Sequence, residues 1–260
     1  MSENVFSIAT WNVNSLKVRL HHVLRWLEEN QPDVLGLQET KMTDDVFPAA
    51  ELEAAGYKVV FAGQKTYNGV AVLAKTEIAD VVTDFPNFED EQRRVLACTV
   101  NGVRVINLYV PNGQALDSPK FEYKRGWIAA LHDYLGQQLA EHDKLVMMGD
   151  FNITTDDADV HDPEAWRDEI HCSSIEREWL EGLKAQGVTD CFRLFDNEPG
   201  SFSWWDYRGG AFWKNKGLRI DYVFASKSLA DNCSECRIDK RERRFKQPSD
   251  HAPVIATFTL

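Results

Sequence analysis

The chain has 260 residues, 43% hydrophobic and 27% charged, with a formal net charge of −12. That length allows one large core or two small ones, and the composition is that of a soluble globular protein rather than a fibrous or disordered one. The acidic balance argues against a protein that coats nucleic acid without specificity, no run reaches the apolar length of a membrane span, and an odd number of scattered cysteines argues against a disulfide framework.

The cysteines are Cys98, Cys172, Cys191, Cys233 and Cys236. The last two form a lone C-x-x-C with no partner pair at zinc-finger spacing, so reduced thiols are expected. No basic segment followed by an apolar one opens the chain, which makes a cytoplasmic location the expectation.

In chain order, Phe6 to Trp11 reads as a short strand running into Asn12-Val13-Asn14-Ser15. Ser15 is placed to cap a helix on which Leu16, Leu20, Val23, Leu24 and Leu27 recur at helical spacing. Val34 to Gln38 is a second buried strand with Glu39 at its end. Pro48 to Ala55 suggests a short helix, and Tyr57 to Ala62 with Gly69 to Ala74 suggest a strand pair. Val95 to Val100 and Val103 to Val110 predict a hairpin about Asn101-Gly102, a good tight-turn pair. The second of these strands is apolar on both faces and delivers Tyr109 and Asn112 to its end.

Phe121 to Ala140 predicts a long amphipathic helix with Trp127, Leu131, Tyr134 and Leu135 as its core stripe. The chain then reaches Lys144-Leu145-Val146-Met147-Met148-Gly149-Asp150-Phe151-Asn152. This reads as a buried strand that places Asp150 and Asn152, two residues apart, on one side of its open end. Ser173 or Ser174 caps a helix through Trp179 and Leu183. Leu218 to Ala225 is a strand with Arg219 and Asp221 at its start, and Val254 to Phe258 follows Ser249-Asp250-His251-Ala252-Pro253. Strand hairpins interleaved with crossing helices, in two halves of similar order, predict two sheets with helices outside.

Gathered together, the strand ends offer Asn12, Asn14, Glu39, Tyr109, Asn112, Asp150, Asn152, Asp221, Asp250 and His251. Hard oxygen ligands without clustered His or Cys suit Mg²⁺ or Mn²⁺ rather than zinc, with Glu39 and Asp250 the best candidates. A His held by a carboxylate presents a fixed tautomer or an imidazolium to a phosphate, and Asp221 is the expected partner of His251. Asp150 is placed to take a proton from water. This is equipment for hydrolysing a phosphate ester.

Leu37-Gln38-Glu39-Thr40, Gly149-Asp150-Phe151-Asn152, Gly217-Leu218-Arg219-Ile220-Asp221 and Ser249-Asp250-His251-Ala252-Pro253 resemble the signature blocks of the exonuclease III family. Thr10 to Ser15 and Tyr67-Asn68-Gly69-Val70-Ala71 fit as well, so the resemblance covers nearly the whole chain. It implies an α/β fold in one domain over 1–260, a four-layered sandwich of two packed mixed β-sheets flanked by helices. It also implies a Mg²⁺-dependent, monomeric DNA-repair enzyme. The activities implied are 3′→5′ exonuclease on duplex DNA, removal of 3′-phosphates and other 3′ blocks, and cleavage at abasic sites. The substrates are duplexes with 3′ ends, nicks or abasic sites.

Carried over by position, Glu39 is the metal ligand, assisted by Asn12 and Asp250. Asp150 orients or deprotonates the attacking water beside Asn152. Tyr109 and Asn112 contact the phosphate or the leaving oxygen, and Asp221 positions His251 on the phosphate. Lys120, Lys124 and Arg125, with Lys214, Lys216 and Arg219, would be backbone clamps that add affinity without sequence information. Trp204, Leu218 and Ile220 align with a pocket for a flipped-out abasic sugar. His171 stands where abasic endonucleases of the family carry a small residue, and its ring is expected to intrude on that path. Asn14 stands where some of them carry Asp. Two other readings are a superfamily phosphodiesterase acting on an inositol phosphate or sphingomyelin, and a non-catalytic DNA-binding protein that kept the fold.

Overall fold

Two strand–helix–strand units set the frame. The computed structural model describes residues 4–260. The first unit is β1 (Val5–Asn12), α1 (Leu16–Asn30) and β2 (Val34–Gln38). The second is β7 (Val103–Tyr109), α3 (Pro119–Glu141) and β8 (Leu145–Asp150). In both, the strands run parallel and the helix makes the crossover that a parallel pair requires.

Antiparallel strands extend both units in the same pattern. Next to β2 lie β4 (Val70–Ala74) and β3 (Lys58–Ala62); next to β8 lie β10 (Asp221–Ser226) and β9 (Val188–Asp190). On the other side, β12 (Val254–Thr259) and β11 (Cys233–Ile238) flank β1, and β6 (Val95–Val100) and β5 (Ala79–Val82) flank β7. The result is two six-stranded mixed sheets of matching topology. Three shorter helices complete the chain: α2 (Ala49–Ala54), α4 (Ser174–Ala185) and α5 (Lys227–Ala230).

Three apolar layers hold this together. Phe6, Ile8, Val34 and Val72 of one sheet meet Leu96, Val105, Val146 and Val223 of the other. Outside the first sheet, Leu35 and Leu37 pack on Val23, Trp26 and Leu27 of α1 and Leu52 of α2. Outside the second, Ile106, Met147 and Phe224 pack on Trp127, Leu131 and Leu135 of α3 and Leu180 and Leu183 of α4. The expected four-layered sandwich is what forms, and its central strands are apolar on both sides because both sides are covered.

Two glycines set close approaches. A Cβ on Gly36 would lie 2.6 Å from Met148 Cε and 2.7 Å from Asn107 Oδ1, where the sheets nearly touch. Across that gap Gln38 Nε2 donates to Asn107 Oδ1 (2.6 Å), and Asn107 Nδ2 donates to the carbonyls of Leu37 and Ala71. Gly149 has φ +143° inside β8, and a Cβ there would sit 1.9 Å from the Leu108 carbonyl. Its lack of a side chain serves this approach to β7.

The Asn101-Gly102 hairpin forms as expected, with φ of 51° and 77°, the pair of positive values its turn needs. Ser173 caps α4 with a full capping box alongside Glu176. Ser15 departs from expectation. Its side chain makes no cap; with φ 86° its N–H goes to the Glu39 carbonyl at 2.7 Å, pinning the loops after β1 and β2 together.

Candidate active site

The ends of β1, β2, β7 and β8 meet the starts of β10 and β12 along one edge of the sandwich. Pairing places Asp150 beside both Tyr109 and Asp221, and a bridge joins Trp204 to His251. Chain reversal does this work: residues that finish the parallel strands lie level with residues that begin the antiparallel ones.

Asn12 Nδ2 sits between two carboxylates, donating to Glu39 Oε1 (2.9 Å) and Asp150 Oδ2 (2.8 Å). Lys41 Nζ lies 2.7 Å from Glu39 Oε2 and donates to Asn14 Oδ1. Asn152, at φ 51°, gives its backbone N–H to Asp150 Oδ1 and its side-chain amide to the Val110 carbonyl. His251 faces Asp221 through Nδ1 at 2.9 Å, and its Nε2 is 3.7 Å from Asp150 Oδ2. Because a carboxylate only accepts, Nδ1 carries a proton. Ser203 Oγ donates to Asp221 Oδ2 (2.6 Å), fixing that carboxylate. Glu39, Asp150 and His251 each bring a ligand atom within 4.8 Å of the others.

Burial pushes the Asp150 carboxyl above its ordinary range, and the charges of Asp221 and Glu39 add to this against the opposing pull of His251 and Asn12. Burial alone would discharge His251, but Asp221 and then Asp150 outweigh it and raise the imidazole well above its usual value, so the ring is a cation at neutral pH. Burial, then Glu39, keeps the Tyr109 hydroxyl protonated, with the Arg94 guanidinium 4.6 Å over its ring centre.

The donor set fits a hard divalent cation. A protonated His251 is no ligand, which leaves the oxygens of Glu39 and Asp150, and such an ion would offset the strain that raises Asp150. Asp250 stands outside this group, contrary to the expectation that made it a metal ligand. Its oxygens take hydrogen bonds from Asn14 Nδ2 (2.9 Å) and Trp204 Nε1 (3.0 Å). Burial works to raise its pKa, but His251 and these two donors outweigh it and hold the group below the ordinary value.

Residues 9–251 match the Endonuclease/Exonuclease/phosphatase family. The chain belongs to that family. It is 37% identical over 262 residues to exodeoxyribonuclease III of Haemophilus influenzae, covering 96% of this chain and 98% of that one. An exodeoxyribonuclease of Bacillus subtilis is 32% identical over 253 residues, 95% of this chain and 97% of its own length. Among solved structures, the 3′ phosphatase NExo from Neisseria, bound to product DNA hairpin, superposes with a TM-score of 0.97 at 49% identity, over 98% of this chain and 100% of that one. An AP endonuclease from Archaeoglobus fulgidus gives 0.93 at 35% identity over the same shares.

Within this member of the family, the residues expected to touch substrate are placed differently by the fold. Asn112 lies at the site, its Nδ2 3.3 Å from His171 Nε2 and 3.4 Å from Asn152 Oδ1. Trp204, Leu218 and Ile220 do gather, with Val160, Cys172 and Trp166, but Leu218 and Ile220 are fully covered. Lys120, Arg125, Lys214 and Lys216 are exposed, Arg125 with its Nε 3.3 Å from Glu122.

Lys124 and Arg219 are not clamps. Lys124 is fully buried against Glu176 at 2.5 Å, and Arg219 is 1% exposed, with Nε 2.6 Å from Asp159 and Nη1 2.7 Å from Asp190. Basic clusters in a sequence do not distinguish an exposed cation from one facing a buried acid, because the partners lie 52 and 60 residues away. The sequence reading also missed Lys41, Ser203 and Ser249. Lys41 follows the Glu39 block directly and Ser249 opens the Asp250 block, so adjacency to the blocks was an available signal. Ser249 Oγ donates to the Asn12 carbonyl (2.6 Å) and accepts from the His251 N–H, tying β1 to the start of β12.

His171 is buried at φ 75°. Its Nδ1 is 2.7 Å from the Asn152 carbonyl, so that nitrogen carries the proton and Nε2 accepts from Asn112. Burial, reinforced by the charge of Lys124, drops its pKa to about 4, so the ring is neutral.

Proposed function

We propose that the chain is a Mg²⁺-dependent DNA-repair phosphodiesterase of exodeoxyribonuclease III type, acting as one domain over 1–260. It removes nucleotides 3′→5′ from duplex DNA and clears 3′-phosphates, with reduced cleavage at internal abasic sites. The observation that carries this reading is the meeting of Glu39, Asp150 and a charged His251, with ligand atoms within 4.8 Å of one another. The likeness to exodeoxyribonuclease III and to the DNA-bound 3′ phosphatase NExo supports the substrate class. Mn²⁺ is the other ion the donor set accommodates. The enzyme works as a monomer in the cytoplasm on duplexes with 3′ ends, nicks or abasic sites. Among the described residues, no helix is long and apolar enough to cross a membrane.

Glu39 and Asp150, with Asn12 holding their spacing, would bind the ion. When bound, it supplies positive charge to the scissile phosphate. The protein's own groups do the rest. Asp150 orients a water and receives its proton, while Asn152 keeps that carboxylate aimed. The His251 imidazolium, fixed by Asp221, donates to a phosphate oxygen where negative charge grows. The protonated Tyr109 hydroxyl and Asn112 contact the phosphate or the leaving oxygen in this reading. Lys120, Arg125, Lys214 and Lys216 supply backbone contacts.

The His171 ring, locked against Asn152 and Asn112 beside the covered Leu218–Ile220 patch, favours work at 3′ ends over an abasic sugar. Replacing it by glycine is expected to raise internal cleavage of an abasic duplex at least about tenfold relative to 3′-phosphate release, the scale on which pocket shape discriminates. An unchanged ratio removes His171 from the account. The wider reading is tested on nicked, 3′-phosphorylated and abasic duplexes with and without Mg²⁺. Metal-dependent release of mononucleotide and phosphate supports it, whereas turnover of an inositol phosphate alone, or of nothing, overturns it.

A further inference from the structure

We propose that Lys124 is a positioning residue, whose buried amine ties together the two loops that carry Asn112 and Asn152. The inference rests on the function proposed above. Lys124 Nζ donates to the Asn152 carbonyl (2.8 Å), the Asn112 carbonyl (3.2 Å) and Glu176 Oε1 (2.5 Å). An ammonium has three donors, and all three are taken.

These acceptors come from three places: the loop after β7, the loop after β8 and the first turn of α4. The contact is close along its length. A Cβ on Gly113 would meet Lys124 Cδ at 3.1 Å and Ile170 Cδ1 at 2.9 Å, so the Asn112 loop lies directly on the lysine stem. The Asn152 carbonyl accepts from Lys124 on one side and from His171 Nδ1 on the other, which uses both its lone pairs and holds a left-handed residue in place. Glu176 then joins the group to α4, since its Oε2 takes the Ser173 hydroxyl at 2.6 Å. Lys124 touches none of the groups that meet the phosphate. It acts through the backbone of the two asparagines that do.

The alternative role, a phosphate clamp, makes a different prediction. A clamp contributes to binding and to its salt dependence, by about one unit of slope per phosphate contact. A positioning residue contributes to the geometry of the reacting groups, where small displacements cost up to about a hundredfold in rate.

The test uses the full chain with Mg²⁺ and a 3′-phosphorylated duplex. Lys124→Met with Glu176→Gln removes the amine without leaving a bare carboxylate. We expect kcat to fall roughly ten- to a hundredfold while KM and its salt slope stay within about twofold. Glu176→Gln alone keeps the amine and both carbonyl bonds, so its kcat should stay within about threefold of the parent. The proposal is overturned if the double variant keeps its kcat, if KM rises and the salt slope drops, or if both variants lose kcat equally. Should the double variant not fold, Lys124→Arg decides: it keeps a cation opposite Glu176 but displaces the donors from the two carbonyls, so a fall in kcat at held KM and salt slope supports the proposal, and parent kcat overturns it. A parent chain with no turnover would instead sink the proposed function.

Discussion

Two buried clusters of charge lie on either side of β10, and they are built to opposite rules. One surrounds Arg219. Two cations, Arg219 and Arg193, face two carboxylates, Asp159 and Asp190, and Asp159 also takes the Thr155 N–H at 3.0 Å. Its charges cancel. The other surrounds Asp150. Glu39, Asp150, Asp221 and Asp250 stand together with His251 and Lys41 as their near cations, so carboxylates outnumber the cations in contact with them.

The proton affinities register this difference. Burial works to raise Asp159, but Arg219 outweighs it and the group lies below its ordinary range. Asp150 lies above that range. A neutral buried network contributes to the fold. One left with excess charge is unfavourable alone and gains from a cation.

The largest effect expected from disturbing the open cluster is on rate. Asp150→Asn removes the carboxylate proposed to orient the water and should lower kcat on a 3′-phosphorylated duplex by about 10³-fold or more. Thermal stability should hold or rise, since a strained charge is lost, and a marked drop in Tm would show that Asp150 belongs with the structural ions.

The closed cluster should respond in the opposite sense. Arg219→Met leaves Asp159 and Asp190 facing fewer cations, and the expected cost is about 3–5 kcal/mol in chemical denaturation. The rate per folded molecule should change little; a selective loss of kcat would mean Arg219 serves the chemistry.

A third experiment contrasts the two by pH. Asp159, depressed, contributes stability above its unfolded pKa and loses it as pH falls through the folded value. Asp150, raised, works the other way: stability falls as pH climbs from about 4 toward the folded value. A divalent ion that prefers ionised Asp150 should therefore raise Tm more at pH 8 than at pH 5. Saturation at about 100 times Kd corresponds to about 2.7 kcal/mol. An equal Mg²⁺ shift at both pH values would uncouple the ion from this carboxylate.

The smallest change is a displacement of the pH profile. Asp221 is the first of the carboxylates that hold the proton on His251. Asp221→Asn should let the ring discharge nearer its usual pKa of about 6.5, moving the alkaline limb of kcat toward neutral pH. A limb that does not move would separate His251's charge from turnover.

The sequence by itself determined the strand and helix order and the residues at the strand ends. Those follow from local facts: apolar runs bounded by turn residues, a helical stripe on α3, an Asn-Gly turn, and polar blocks after each run. The short strands β5, β9 and β11 were not legible, because each brings too few buried apolar residues, such as Val188 in β9 and Cys236 in β11, to form a run. The sense of a charge was not legible either. Lys120, Lys124 and Arg125 look alike in the sequence, yet Lys124 alone is fully covered. Asp159 and Asp250 are both acids in loops, and only folding gives one an arginine and the other an indole. Tertiary structure decided these cases because a buried ion's role depends on what faces it across the layers, and each of these facing partners is distant in sequence.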